Sequence, residues 1–126
     1  MPQPSVLVVD DDRSFVVACA ILLRDAGFTA LEAFSAEQAL ELMQRSKVDL
    51  VVMDVYMPQK SGIDLLAQIR ANKLYLPIIL ISSNHSNDTV QKGIGVGANL
   101  FVPKPFDPEY LLQCIRDLLH MTHTRI

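Results

Sequence analysis

Residues 5–12 read Ser5-Val6-Leu7-Val8-Val9-Asp10-Asp11-Asp12. A short β-branched apolar run without polar alternation, cut off by three acids, is the pattern of a strand buried on both faces. Asp12 is placed to cap a helix. From Arg13 to Ala26 the apolar residues Phe15, Cys19, Leu22 and Leu23 recur at helical spacing, and Gly27 follows where a helix C-terminus favours glycine. The opening therefore predicts strand then helix, with acids at the junction.

The same alternation runs through the rest of the chain. Thr29 to Phe34 is the next strand, and Ser35 with Gln38 forms a capping box before Ala39, Leu40, Leu42 and Met43, a helix reaching about Ser46. Leu50 to Met53 is a third apolar run ending at an acid, Asp54. Met57-Pro58 and Ser61-Gly62 mark a loop, after which Ile63, Leu65, Leu66 and Ile69 carry a third helix. Pro77 introduces Ile78 to Ile81, which ends in the polar string Ser82-Ser83-Asn84-His85-Ser86-Asn87-Asp88. A fourth helix, about Asp88 to Val96, contains Gly93 and Gly95, each costing about 1 kcal/mol relative to Ala, so it is expected to be short or mobile. Leu100 to Val102 is a fifth strand, broken by Pro103-Lys104-Pro105. Asp107-Pro108 then starts a helix carrying Leu111, Cys114, Ile115, Leu118 and Leu119. Five strands alternating with five helices predict an α/β fold, a doubly wound parallel sheet with helices on both faces.

Composition narrows the function classes. The 126 residues suit a single domain, 1–126, with a core from about 5 to 120 and a short flexible tail, 121–126. Eleven Lys and Arg against fourteen Asp and Glu leave a net charge of −3, without the basic stripe that a phosphate backbone requires, so no nucleic-acid binding by this chain is expected. Cys19 and Cys114 both lie in apolar helical patterns and read as buried free thiols. No apolar stretch approaches the roughly 20 residues that span a bilayer, and Met1 to Ser5 lacks a basic segment leading into an apolar one; a cytoplasmic location without membrane contact is expected.

In open α/β sheets, ligands bind beyond the carboxyl ends of the strands. Here those ends hold Asp10-Asp11-Asp12, Asp54, Ser82-Ser83 and Lys104. A flavodoxin-like strand order, 2-1-3-4-5, makes the first and third strands neighbours and brings the Asp10/Asp11 pair within a few ångströms of Asp54. Carboxylates so crowded must take up a proton or share a divalent cation, and one such cation with Lys104 balances the three negative charges. Oxygen donors without nearby His or Cys suit Mg²⁺, which keeps coordinated waters that a phosphate can replace. A metal, an ammonium and a hydroxyl beside a carboxylate nucleophile are the groups that phosphoryl transfer uses.

Val8-Val9-Asp10-Asp11-Asp12, Asp54-Val55-Tyr56-Met57-Pro58 with Gly62 and Leu65-Leu66, Ser82 after an apolar strand, Gly97-Ala98 and Lys104-Pro105-Phe106 together resemble a response-regulator receiver domain of two-component signal transduction. The resemblance covers about Ser5 to His120. It implies that Asp54 is the phosphoacceptor, taking a phosphoryl group from a phosphohistidine of a sensor histidine kinase or histidine phosphotransfer protein. It implies Mg²⁺, with Mn²⁺ as the alternative, on Asp11, Asp54 and the backbone carbonyl of Tyr56, with Asp10 acting through coordinated water. Lys104 and Ser82 would contact the phosphoryl oxygens, and the Lys104–Pro105 peptide bond would be cis. Ser82 and Phe101 would form the switch, Phe101 standing where Tyr is common and so lacking the phenolic hydroxyl. The surface of the fourth helix, fifth strand and fifth helix would then read out phosphorylation, to an unknown downstream protein target or through a homodimer. Tyr56 and Asn84 flank the site and are expected to tune the acylphosphate lifetime, with slow autodephosphorylation the expectation.

Simpler roles compete at some positions. Asp12 reads as a helix cap and stays outside the candidate set. His85, His120 and His123 read as solvated, and Gly93-x-Gly95-x-Gly97 does not match a dinucleotide-binding loop. The rival functions are a Mg²⁺-dependent phosphatase with an aspartyl nucleophile, a flavin-binding module, and a receiver-like scaffold acting without phosphorylation. Haloacid-dehalogenase-like phosphatases place a second Asp two residues after the nucleophile, where this chain has Tyr56. Flavin would call for a phosphate-cradling loop and aromatic stacking, and the chain has no Trp.

Overall fold

The computed structural model describes residues 3–57, 60–72, 75–83 and 86–124. Its elements alternate without exception: β1 (Ser5–Val9), α1 (Arg13–Asp25), β2 (Thr29–Ala33), α2 (Ala36–Arg45), β3 (Leu50–Asp54), α3 (Gly62–Ala71), β4 (Ile78–Ser82), α4 (Asn87–Val96), β5 (Leu100–Pro103) and α5 (Pro108–Thr124). The five strands are parallel in the order β2-β1-β3-β4-β5, as the alternation predicts.

Strand periodicity of two divides the apolar runs between two cores. Val6 and Val8, Leu50 and Val52, Ile79 and Ile81 pack with α1 and α5 residues such as Val16, Leu23, Leu111 and Ile115. Their alternates Leu7 and Val9, Val51 and Met53, Ile78 and Leu80 pack with Ala39, Leu65, Leu66 and Ile69 of α2 and α3. The central strands are buried on both faces, so their sequences carry no polar alternation. Cys19 and Cys114 are buried free thiols.

Caps set the helix starts. Asp12 accepts from the Phe15 N–H at 3.2 Å, and Ser35 Oγ accepts from the Gln38 N–H at 3.2 Å. Gln38 Oε1 in turn accepts from the Phe34 N–H at 2.7 Å, which draws Phe34 into the cap and ends β2 one residue earlier than hydrophobicity suggests. Asp107 accepts from the Glu109 N–H at 3.1 Å ahead of α5.

Two departures from the sequence expectation have physical causes. Apolarity alone ends three strands one residue too early, because ladder pairing continues through Asp54 opposite Ile81 and through Ser82 opposite Pro103. The polar residues that matter most are thus held by the sheet itself. Secondly, α4 starts one residue earlier than the sequence suggests, at Asn87, and its ten residues equal those of α2 and α3. A Cβ on Gly93 would stand 2.6 Å from Leu80 Cδ1, so the glycine lets α4 seat closely on β4 without displacing that side chain.

Candidate functional site

The carboxyl ends of β1, β3 and β4 and the turn after β5 meet at one edge of the sheet. Asp10 directly follows β1 and is 1% exposed; its backbone N–H bonds Ala33 O, and its Oδ1 accepts from the Asp12 N–H at 3.1 Å. Asp11 is exposed beside it, and Asp54 ends β3 with its side chain 14% exposed. One carboxylate oxygen from each of Asp10, Asp11 and Asp54 lies within 4.8 Å of the others, an all-oxygen donor set sized for a small divalent cation.

Lys104 enters from the turn after β5, its own N–H donating to Ser82 O at 2.9 Å. Its Nζ donates to Asp10 Oδ2 at 2.8 Å and stands 3.7 Å from Asp54 Oδ2. The Lys104–Pro105 bond is cis. The side chain of Ser82 is buried at the end of β4, next along the sheet from Asp54.

The electrostatics follow from this crowding. Burial first, and the charge of Asp10 second, push the Asp54 carboxyl above the usual carboxylate range. Lys104 and the Tyr56 N–H, which donates to Asp54 Oδ1 at 3.3 Å, pull the other way without winning. For Lys104, burial works against the charge, but the hydrogen bond and charge of Asp10, then the charges of Asp54 and Asp12, outweigh it and hold the ammonium above its ordinary range. The field reaches the layer beneath: the Cys19 thiol is pushed up to about 11 by burial and then by Asp10.

Asp10, Asp11, Asp54 and Lys104 are therefore gathered at one place, with Ser82 adjoining. Tyr56 lies in the β3–α3 loop, half exposed, its hydroxyl 3.3 Å from Thr89 Oγ1 on α4. Thr89 in turn bonds Ser86, the α4 cap. Phe101 is partly buried in β5 on the α4 side of the sheet, apart from the carboxylates. Asn84 lies outside the described residues. Asp12 is a helix cap, as expected.

Three contacts were not foreseen from the sequence. A Cβ on Gly62 would fall 2.0 Å from the carbonyl oxygen of Asp54, while the Gly62 N–H donates to Val55 O at 2.7 Å; α3 begins pressed against the backbone that carries Asp54. The Tyr56–Thr89 hydroxyl pair had no sequence signal. Phe15 reads as a helix core residue, yet its ring lies under Lys104 Nζ at 4.2 Å. Its position four residues after Asp11, one helical turn into α1, was the available hint.

This sheet order, with an acidic trio and a lysine at its carboxyl edge, is that of a doubly wound α/β domain whose charged groups gather at the carboxyl ends of the strands. The family model of the response regulator receiver domain matches residues 6–116, and the chain belongs to that family. It is 39% identical over 118 residues to the transcriptional regulatory protein CpxR of Klebsiella pneumoniae, covering 94% of this chain and 50% of that protein. It is 32% identical to the alkaline phosphatase synthesis transcriptional regulatory protein PhoP of Bacillus subtilis, covering 90% of this chain and 48% of that one. The chain thus spans about half the length of these relatives. Among solved structures, the receiver domain of the Francisella response regulator 1452 superposes with a TM-score of 0.90 at 29% identity, covering 95% of this chain and 99% of that one. The Vibrio cholerae chemotaxis protein CheY4 gives 0.87 at 31% identity, covering 92% and 98%. Among the described residues no helix is long and apolar enough to cross a membrane.

Proposed function

We propose that Asp54 accepts a phosphoryl group from a phosphohistidine of a sensor histidine kinase or histidine phosphotransfer protein, and that the modified chain changes its binding to a downstream protein target. A carboxylate oxygen of Asp54 forms the bond to phosphorus while the P–N bond breaks, its electron pair leaving with the imidazole nitrogen. The observation that carries this reading is the Asp54 carboxylate standing at the open edge of the sheet, 3.7 Å from an ammonium and within 4.8 Å of two further carboxylates. A solvated loop acid has no such company.

The donor set fits Mg²⁺ or Mn²⁺ on Asp10, Asp11, Asp54 and the Tyr56 carbonyl. When bound, such an ion offsets the carboxylate repulsion and supplies charge stabilisation to the transferring group. Lys104 pairs with phosphoryl oxygens, and the Ser82 hydroxyl donates to one of them. Phosphorylation replaces one negative charge by about two and adds acceptor oxygens, which draws Ser82 inward and frees space for Phe101. The α4/β5/α5 surface is the region that then changes, toward a protein partner or a second copy. Tyr56 and Asn84 set how long the modification lasts. The chain acts only on itself, in the cytoplasm.

Incubation with acetyl phosphate and Mg²⁺ tests this by intact mass. A gain of one phosphoryl group that disappears in Asp54→Asn is expected. Labelling that persists in Asp54→Asn, or none from either acetyl phosphate or a cognate kinase, overturns the proposal, the second result favouring a scaffold without phosphorylation.

A further inference from the structure

Among the described residues the Lys104 ammonium lies against two carboxylates and an aromatic ring. Asp10 Oδ2 takes a hydrogen bond at 2.8 Å, and Asp54 Oδ2 lies at 3.7 Å. The third is the ring of Phe15, whose centroid is 4.2 Å from Nζ, well inside the roughly 6 Å range of cation–π attraction. The ring is itself held: Phe106 packs against it edge-on, with centroids 6.1 Å apart and planes at 88°. Phe106 follows the lysine by two residues, so the turn that carries Lys104 also supplies the brace for the ring beneath it. Phe15, Ser83, Lys104, Pro105 and Phe106 line a groove of about 410 Å³ that opens beside the ammonium.

An ammonium on a flexible four-carbon stem gains catalytic value only if it is aimed before charge develops, because reorienting it during the reaction costs free energy. Here the side chain is 21% exposed and the groove alongside admits water. An aliphatic residue at position 15 would fill space but offer the cation no electrostatic partner. The aromatic face gives the charge a partner without taking a hydrogen bond, which leaves the N–H groups for Asp10 and the Asp54 side.

We infer that Phe15 is a positioning residue for Lys104: its ring face, braced by Phe106, holds the ammonium beside Asp10 and Asp54 ready for an incoming phosphoryl group. This rests on Lys104 acting at that group as proposed above. It adds a residue of α1 that touches neither metal nor phosphate.

Truncating Phe15 also disturbs packing, so the discriminating series replaces it with mono-, di- and trifluorophenylalanine, which keep ring shape while withdrawing electron density from the face. In the full chain, the initial rate of Asp54 labelling by acetyl phosphate at saturating Mg²⁺ is expected to fall stepwise, by about fivefold at the trifluoro ring, with a cooperative thermal transition retained throughout the series. Phe15→Tyr retains the rate and Phe15→Leu does not. By NMR, the Lys104 ε-methylene protons resonate upfield in the unsubstituted chain and return toward the ordinary lysine position in Phe15→Leu. Intact labelling with a flat fluorination series overturns this inference alone. Absence of labelling in the unsubstituted chain overturns the phosphoryl reading, and unshifted ε-methylene protons overturn the role of the ring in either case.

Discussion

Lys104 Nζ and Asp10 Oδ2 meet at 2.8 Å across 94 residues of sequence, one partly exposed and the other almost wholly buried. Removing the ammonium leaves a buried carboxylate short of its counter-charge. Lys104→Met is expected to cost about 2–3 kcal/mol in urea unfolding with chelator present, at or just below the roughly 3–5 kcal/mol of fully buried pairs because the lysine retains solvent contact. Lys47 lies 3.8 Å from Asp49 with its side chain 82% exposed, and Lys47→Met should change little. Equal losses in the two variants would remove the distinction between them.

Asp54 sets a pH dependence in the metal-free protein. Its carboxyl sits above the ordinary 3.8 when folded, so the folded state holds this proton more tightly than the unfolded chain does. That contribution is complete below 3.8 and is lost as pH rises through the higher folded value. In chelator, Asp54→Asn is therefore expected to be more stable than the parent above this window and to lack this loss of stability. Added Mg²⁺ should raise the parent's thermal midpoint far more than that of the variant. Matching midpoints for parent and variant at neutral pH, with and without Mg²⁺, would contradict this.

Tyr56 bridges the site and α4, its N–H on Asp54 Oδ1 and its hydroxyl at Thr89. On the role proposed for Tyr56 above, a ring held there would limit the approach of water to the phosphoryl group. Tyr56→Ala is expected to speed loss of the phosphoryl group about fivefold, roughly 1 kcal/mol of barrier, and Tyr56→Phe less, measured as decay of the labelled mass. A half-life of seconds for the parent in Mg²⁺ buffer would argue against shielding.

Gly62 is tied to Asp54 by space alone. A methyl group at position 62 meets the Asp54 carbonyl oxygen at 2.0 Å, a backbone atom that cannot turn aside as a side chain would. Gly62→Ala is expected to destabilise by about 2–3 kcal/mol and to slow labelling of Asp54 as well. Unchanged denaturation and labelling would show that the loop yields freely.

Much of this was open to inspection residue by residue. Val6 to Val9 and Ile78 to Ile81 are apolar without alternation because both sides of those strands are covered, the pattern expected of a parallel sheet with helices on both faces. Asp10, Asp11, Asp54, Ser82 and Lys104 could be picked out because each follows or ends such a run. The span of α4 is legible to within one residue, but propensity counts only the cost of Gly93 and cannot see Leu80 packed against it. Phe15 passed for ordinary core because helical spacing reports which face is inward, not what lies against it.

Local chemistry in the chain was enough to set the elements, their parallel order and the edge where the acids gather, since periodicity, caps and strand ends depend on near neighbours. Folding alone decided that Lys104 reaches Asp10, that Phe15 lies under the ammonium, that Tyr56 ties to Thr89 and that Gly62 abuts Asp54. All but the last join segments far apart in sequence, and their distances arise from how helices seat on the sheet, a sum of packing forces that no single stretch encodes.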